Sequence, residues 1–145
     1  KENREVPPLE YAFVHRLKQE FPELTIVING GIKTLDDTLM HLTKVDGVMI
    51  GREAYSNPYL LAEVDQHVFG DSHPIPSRTT IAEQYIDYCV KQIDKGSRLN
   101  HLSRHILGLY QGEPGARAFR RHISENAHRD NATVDVLVDA LRYIA

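Results

Sequence analysis

Two short stretches hold the residues whose types and spacing could do chemistry: TIVINGGIKTLDD (25–37) and DGVMIGRE (46–53). Each is a β-branched apolar run that stops at glycine, and Arg52 follows the second stop directly. Glycine lets the backbone approach a ligand closely, so that peptide N–H groups can point at phosphate oxygens. An arginine adds a fixed charge and a fork of donors that matches phosphate geometry. Gly30 and Gly31 supply one such turn, Gly51 the other, and Arg52 the charge. Taken singly, a Gly-Gly after a strand also reads as a tight turn, and an arginine as a surface charge. The pair, at the spacing from Ile28 to Ile50, points to two adjacent strands that grip one phosphate.

A second chemical feature lies downstream. Residues 96–129 carry Arg98, Arg104, Arg117, Arg120, Arg121 and Arg129 against only Glu113 and Glu125, together with four histidines. Such a surplus is either a solvated helix face or a surface for phosphate or nucleic acid. Arg117, Arg120 and Arg121 lie three and four apart and are expected to share one helix face, with Phe119 and Ile123 turned inward. The chain as a whole is nearly balanced, at net −3. Residues 1–73 hold 7 Lys+Arg against 12 Asp+Glu, whereas 74–145 hold 10 against 8.

The elements that must position these residues follow from periodicity. Leu9 to Phe21 reads as a helix ended by Pro22, TIVI (25–28) as a buried strand, and Thr34 with Asp37 as the capping box of a second helix. VMI (48–50) is the second strand and LLAEVDQHVF (60–69) a third helix ended by Gly70. Both strands read as apolar on both faces, as parallel strands covered by helices do. DSHPIPSR (71–78) carries two prolines and reads as a linker. Four amphipathic helices are expected after it. The first is capped by Thr80 with Glu83 and stopped by Gly96. Leu99, Leu102, Ile106 and Leu109 mark the second, Ala116, Phe119 and Ile123 the third, and Val134 to Ile144 the last.

Strand-helix units this short suit a (β/α)8 barrel, whose last two strands often carry a phosphate site at their C-terminal ends. A whole barrel needs roughly 200 residues or more, and this chain has 145. The expected fold is therefore α/β plus all-α: the C-terminal part of a TIM barrel over residues 1–73, then a small helical bundle domain over 74–145. The opening KENREVPPL shows no helix or strand onset and reads as the middle of a longer protein. Open barrel edges lead us to expect self-association of the chain. At 41% apolar and 26% charged the composition is that of an ordinary globular chain, with no run long enough to span a bilayer. Cys89 is the sole cysteine, which excludes an internal disulfide and a Cys-rich zinc site and fits a reducing cytoplasm. It sits at an apolar-periodic position between Tyr88 and Val90 and reads as a core residue rather than a nucleophile. His15, His41 and His67 read as surface or core residues, and no His/Asp/Glu set has metal-ligand spacing.

KENREVPPLEY, INGGIKT, DGVMIGREAYSNP and HILGLYQGEPGARAFRRHISENAH together resemble the C-terminal half of tRNA-dihydrouridine synthases of subfamily A. The resemblance runs over nearly the whole chain. GREAYSNP and the GLYQGEPGAR–RR block are the specific parts. It implies an enzyme that uses FMN, recharged by NADPH, to reduce uridine in the tRNA D-loop. It implies an FMN phosphate site on Asn29, Gly30, Gly31, Gly51 and Arg52, and tRNA contacts at Lys1, Arg4, Arg117 and Arg120, with Arg121 a further basic neighbour. It also implies that the catalytic cysteine, and the lysine and histidine that hold the flavin ring, lie in the N-terminal half, so that this chain carries no catalytic residue. Two other readings stay open on the residues alone: a stand-alone RNA-binding helical module, and an FMN barrel acting on a small molecule.

Overall fold

The computed structural model describes residues 8–144. Eight α-helices and two strands follow in the order α1 (Tyr11–Glu20), β1 (Val27–Asn29), α2 (Leu35–Leu42), β2 (Gly47–Met49), α3 (Arg52–Ser56), a 3-10 turn (Pro58–Glu63), α4 (Val64–Phe69), α5 (Arg78–Ile93), α6 (Leu99–Ser103), α7 (Ala116–Asn126) and α8 (Asp135–Leu141). The molecule is helix-rich, with one small parallel sheet.

The two strands are neighbours, as their spacing suggested. Their register is Val27 on Gly47, Ile28 on Val48 and Asn29 on Met49. The glycines that follow each strand therefore emerge side by side. Each strand is offset by a residue or two from the expected span. They are not covered on both faces within the described residues: Ile28 is buried, but Val27 is 57% and Met49 43% exposed. One carboxylate ties the sheet to α1. Asp46 Oδ2 accepts from the Ile26 N–H at 2.8 Å and pairs with Lys18 Nζ at 2.9 Å. Those two contacts, the backbone N–H first, hold the Asp46 carboxyl below the usual range. The same ammonium donates to the carbonyls of Pro22 and Leu24. Thr34 caps α2 as expected, accepting from the Asp37 N–H at 3.0 Å.

Other expectations are corrected. The helix read over 60–69 is split. Pro58 opens a 3-10 turn, and the α-helix begins only at Val64. Arg52 to Ser56 forms a short helix of its own, which periodicity could not show over five residues. The cap of α5 is Ser77, not Thr80: the Ser77 hydroxyl accepts from the Thr80 N–H at 3.0 Å, so the helix begins one turn earlier. The segment marked by Leu99 to Leu109 is α6 followed by turns, and Ile106 and Leu109 are buried there without a continuous helix.

Two apolar clusters form. A smaller one holds Ile28, Ile32 and Val45 against Tyr11, Val14 and Val48. A larger one gathers Cys89, Leu99, Ile106, Leu109, Tyr110, Phe119, Ile123 and Leu137. A tight seam joins the segment around α3 to the helices after it. The Arg78 guanidinium lies 3.9 Å from the Tyr59 ring centroid, donates to the Leu109 carbonyl and pairs with Glu113 at 3.2 Å. The Tyr59 hydroxyl donates to the Pro76 carbonyl at 3.1 Å. A side chain at Gly108 would stand 2.3 Å from the Ser56 carbonyl oxygen.

Candidate functional site

The strand register delivers the two glycine turns to one place. Asn29, Gly30, Gly31, Gly51 and Arg52 all line a single hollow, together with Leu9, Ile32, Lys33, Met49 and Glu53. All five residues assigned from the sequence to a phosphate site are thus brought together. Its fixed charges are two cations, Arg52 and Lys33, and one carboxylate, Glu53. The turn itself needs glycine. Gly30 and Gly31 have φ of 126° and 63°, the left-handed side that bears a Cβ poorly. A Cβ on either would lie 2.8 Å from a Leu9 methyl group.

Leu9, Tyr11, Lys33 and Glu53 escaped the sequence reading. Tyr11 is the first residue of α1 and lies behind the turn: its hydroxyl donates to the Gly30 carbonyl at 2.5 Å. Its ring meets the buried His41 ring edge-on, with centroids 4.6 Å apart. His41 is 1% exposed, and its Nδ1 lies 3.0 Å from His15 Nε2. His41 is thus a core residue, one of the two roles foreseen for it. The only available signal for Tyr11 was its place in the VPPLEY segment. A contact across nineteen positions of chain leaves no local pattern.

The arginines of α7 are less alike than their spacing suggested. Ala116, Phe119 and Ile123 form the buried face. Arg117 and Arg121 are exposed and line one shallow hollow with Glu113. Arg120 sits at the edge of the buried face, half-buried, and donates to Gln111 Oε1 at 3.3 Å. Among the described residues no carboxylate pairs with any of the three. Glu113 pairs with Arg78 instead. Of the remaining arginines in the run, Arg98 faces Asp130 at 3.9 Å. Lys1 and Arg4 lie outside the described residues.

Cys89 is buried, and burial pushes its thiol up to about 11. At neutral pH it is a protonated thiol in the larger cluster, as its periodic position implied. Among the described residues no three His, Cys, Asp or Glu side chains gather as metal ligands. No helix there is long and apolar enough to cross a membrane.

Comparison with known proteins bears on the whole chain. The model of the dihydrouridine synthase (Dus) family matches residues 1–145. The tRNA-dihydrouridine(20/20a) synthase of Vibrio parahaemolyticus is 55% identical over 144 residues, which cover 99% of this chain and 44% of that protein. The Vibrio cholerae protein of the same name is 51% identical over the same share of each. That of Escherichia coli K12 is 49% identical over 145 residues, covering 42% of its length. This chain thus spans less than half the length of the relatives it matches. The motif resemblance over nearly the whole chain and the family model over residues 1–145 agree: the chain belongs to the dihydrouridine synthase family.

Proposed function

We propose that this chain is the C-terminal part of an FMN-dependent, NADPH-using reductase that converts uridine to dihydrouridine in the D-loop of tRNA in the cytoplasm. The convergence of Asn29, Gly30, Gly31, Gly51 and Arg52 on one hollow carries the reading. The residues fit a phosphomonoester. Two side-chain-free positions leave the backbone open to it, a Cβ would close that space against Leu9, and Arg52 with Lys33 outweighs Glu53 in charge. In this assignment Arg52 takes the FMN phosphate with its fork, and the glycine turns offer their amides. When bound, the reduced flavin would supply the hydride that saturates the uracil ring. The chain's own contribution is to hold and orient. The groups for the flavin ring and for proton delivery belong to the part of the protein that precedes it, so this segment alone is inactive.

The same reading divides the chain into the tail of a TIM barrel over 1–73 and an RNA-binding helical bundle over 74–145. The names of the relatives make tRNA the macromolecule to test first. Arg117 and Arg121, exposed and without acidic partners among the described residues, are suited to its phosphates. Arg120 and, outside the described residues, Lys1 and Arg4 complete the assigned set. Exposed Phe13, Val27 and Met49 favour self-association of the isolated segment.

Two titrations on the full-length protein test this. Arg52→Ala is expected to weaken FMN binding by about 1.5–3 kcal/mol, the size of a charged hydrogen bond. Arg117→Glu with Arg121→Glu is expected to weaken tRNA binding and to flatten its salt dependence, leaving flavin content unchanged. Parent-like FMN affinity in the first variant refutes the phosphate assignment. Parent-like tRNA affinity and salt slope in the second refute the RNA surface.

A further inference from the structure

We infer that Tyr11 is a positioning residue for the cofactor phosphate: it pins the Gly30–Gly31 peptide so that its amide faces the hollow. The inference rests on the phosphate reading given above and adds a residue that never touches the ligand.

The Gly30 carbonyl and the Gly31 N–H belong to the same peptide group, and the described residues contain no cis bond. In a trans peptide the C=O and N–H point in opposite directions. The Tyr11 hydroxyl donates to the Gly30 oxygen at 2.5 Å and so fixes the carbonyl toward α1. The Gly31 N–H must then point away from Tyr11. Leu9, Gly30, Gly31 and Ile32 line the hollow, whereas Tyr11 does not. A glycine pair most needs such a pin. With no Cβ on either residue, the plane can rotate at little cost, and the rotated form would aim a carbonyl where an anion is to sit.

The pin is itself braced. Tyr11 packs edge-on against His41, which is buried on α2, and His41 meets His15 of α1 at 3.0 Å. The phenol is therefore held from behind by both helices that flank the turn. Its hydroxyl is the part that hydrogen-bonds to the peptide. Removing that one atom leaves the ring, its contact with His41 and the strands in place.

The test compares ligands with and without a phosphate. In the full-length protein, FMN and riboflavin binding are titrated by flavin fluorescence for the parent, Tyr11→Phe and Arg52→Ala. Tyr11→Phe is expected to lower FMN affinity about tenfold, the scale of one well-placed hydrogen bond, with riboflavin affinity unchanged. A lower FMN to riboflavin ratio in both variants supports the pin. If Arg52→Ala lowers the ratio and Tyr11→Phe does not, the inference about Tyr11 is overturned while the phosphate reading stands. If Tyr11→Phe weakens both ligands equally, its role is general packing and the inference is likewise overturned. A ratio unchanged in both variants overturns the phosphate reading itself, and the pin with it.

Discussion

Replacing Gly115 with alanine should loosen the arginine-bearing helix by an amount the geometry allows to be worked out. Gly115 is the residue before α7, with φ of 80°. An alanine there bears left-handed strain of about 1–2 kcal/mol. Its Cβ would also stand 1.8 Å from the Tyr143 carbonyl oxygen, so backbone must move. The tail cannot swing away freely: Leu137 and Ala140 anchor α8 in the larger cluster, Ile144 packs on it, and the Tyr143 ring lies 5.5 Å from that of His122. Overpacking of this kind costs about 1–3 kcal/mol more. Gly112 provides the control. Its φ is 85°, but a Cβ there meets nothing within 4 Å. Gly112→Ala therefore carries the strain alone, and the change in unfolded-chain entropy, about 0.4–1 kcal/mol of stabilisation, is common to both. The difference between the two variants should be about 1–3 kcal/mol. Native-state hydrogen exchange reads it locally, at the Ile123 and Ala127 amides of the full-length protein. Protection lost equally in the two variants, within about 0.5 kcal/mol, would refute the close approach of the C-terminal segment to the start of α7.

Three further outcomes follow from other contacts. Cys89, buried with its thiol pushed up to about 11, should resist alkylation at pH 8 in the folded protein and react at once in denaturant; fast labelling under native conditions would contradict its burial. The His15 imidazole is held below its ordinary value by desolvation first, then by Lys44 and His41. Its native form therefore binds fewer protons than the unfolded chain, so its contribution to stability is full above about pH 6.5 and declines as the pH falls through that value; His15→Gln should blunt that slope in denaturation midpoints measured from pH 7.5 to 5. Arg78→Ala should destabilise the seam by about 2–3 kcal/mol, the scale of a charged hydrogen bond with a cation–π contact, read as earlier proteolysis within 71–77; an unchanged cleavage rate would mean that the seam does not hold that segment.

Much of this was legible because the governing signals were local. A β-branched run that stops at glycine marks a strand end wherever it lies. Two such runs at the spacing of Ile28 and Ile50 leave little choice but neighbouring strands, which is how they pair. Cys89 was legible because an apolar repeat fixes which face a helical residue takes. The misreadings have an equally physical origin. Ser77 and Thr80 are both good caps, and which one wins depends on where Arg78 finds Tyr59 and Glu113, partners far away in sequence. Pro58 tightens the next turn into a 3-10 form that no hydrophobic period reveals. Arg120 departs from its two neighbours because Gln111 captures it. Tyr11, Leu9 and Lys33 joined the site only through the approach of the chain before β1 and the exit after Gly31.

The Arg78 seam has a bearing on reach. A segment with two prolines suggests a tether, and a tether lets what it joins wander. Here the C-terminal end of the tether is fastened twice to one aromatic ring, through the Tyr59 hydroxyl on Pro76 and the Arg78 guanidinium over its face. Gly108 packs close on the Ser56 carbonyl as well, which leaves no room there for a side chain. On the assignment proposed above, the arginine helix and the glycine hollow then behave as the two jaws of a caliper. An RNA held by the arginine helix would then present to the flavin, anchored by its phosphate in the hollow, whatever nucleotide lies a preset length away. The choice of base would follow from measured distance along a folded RNA rather than from reading its letters, and a joint already formed would leave less ordering entropy to lose on binding.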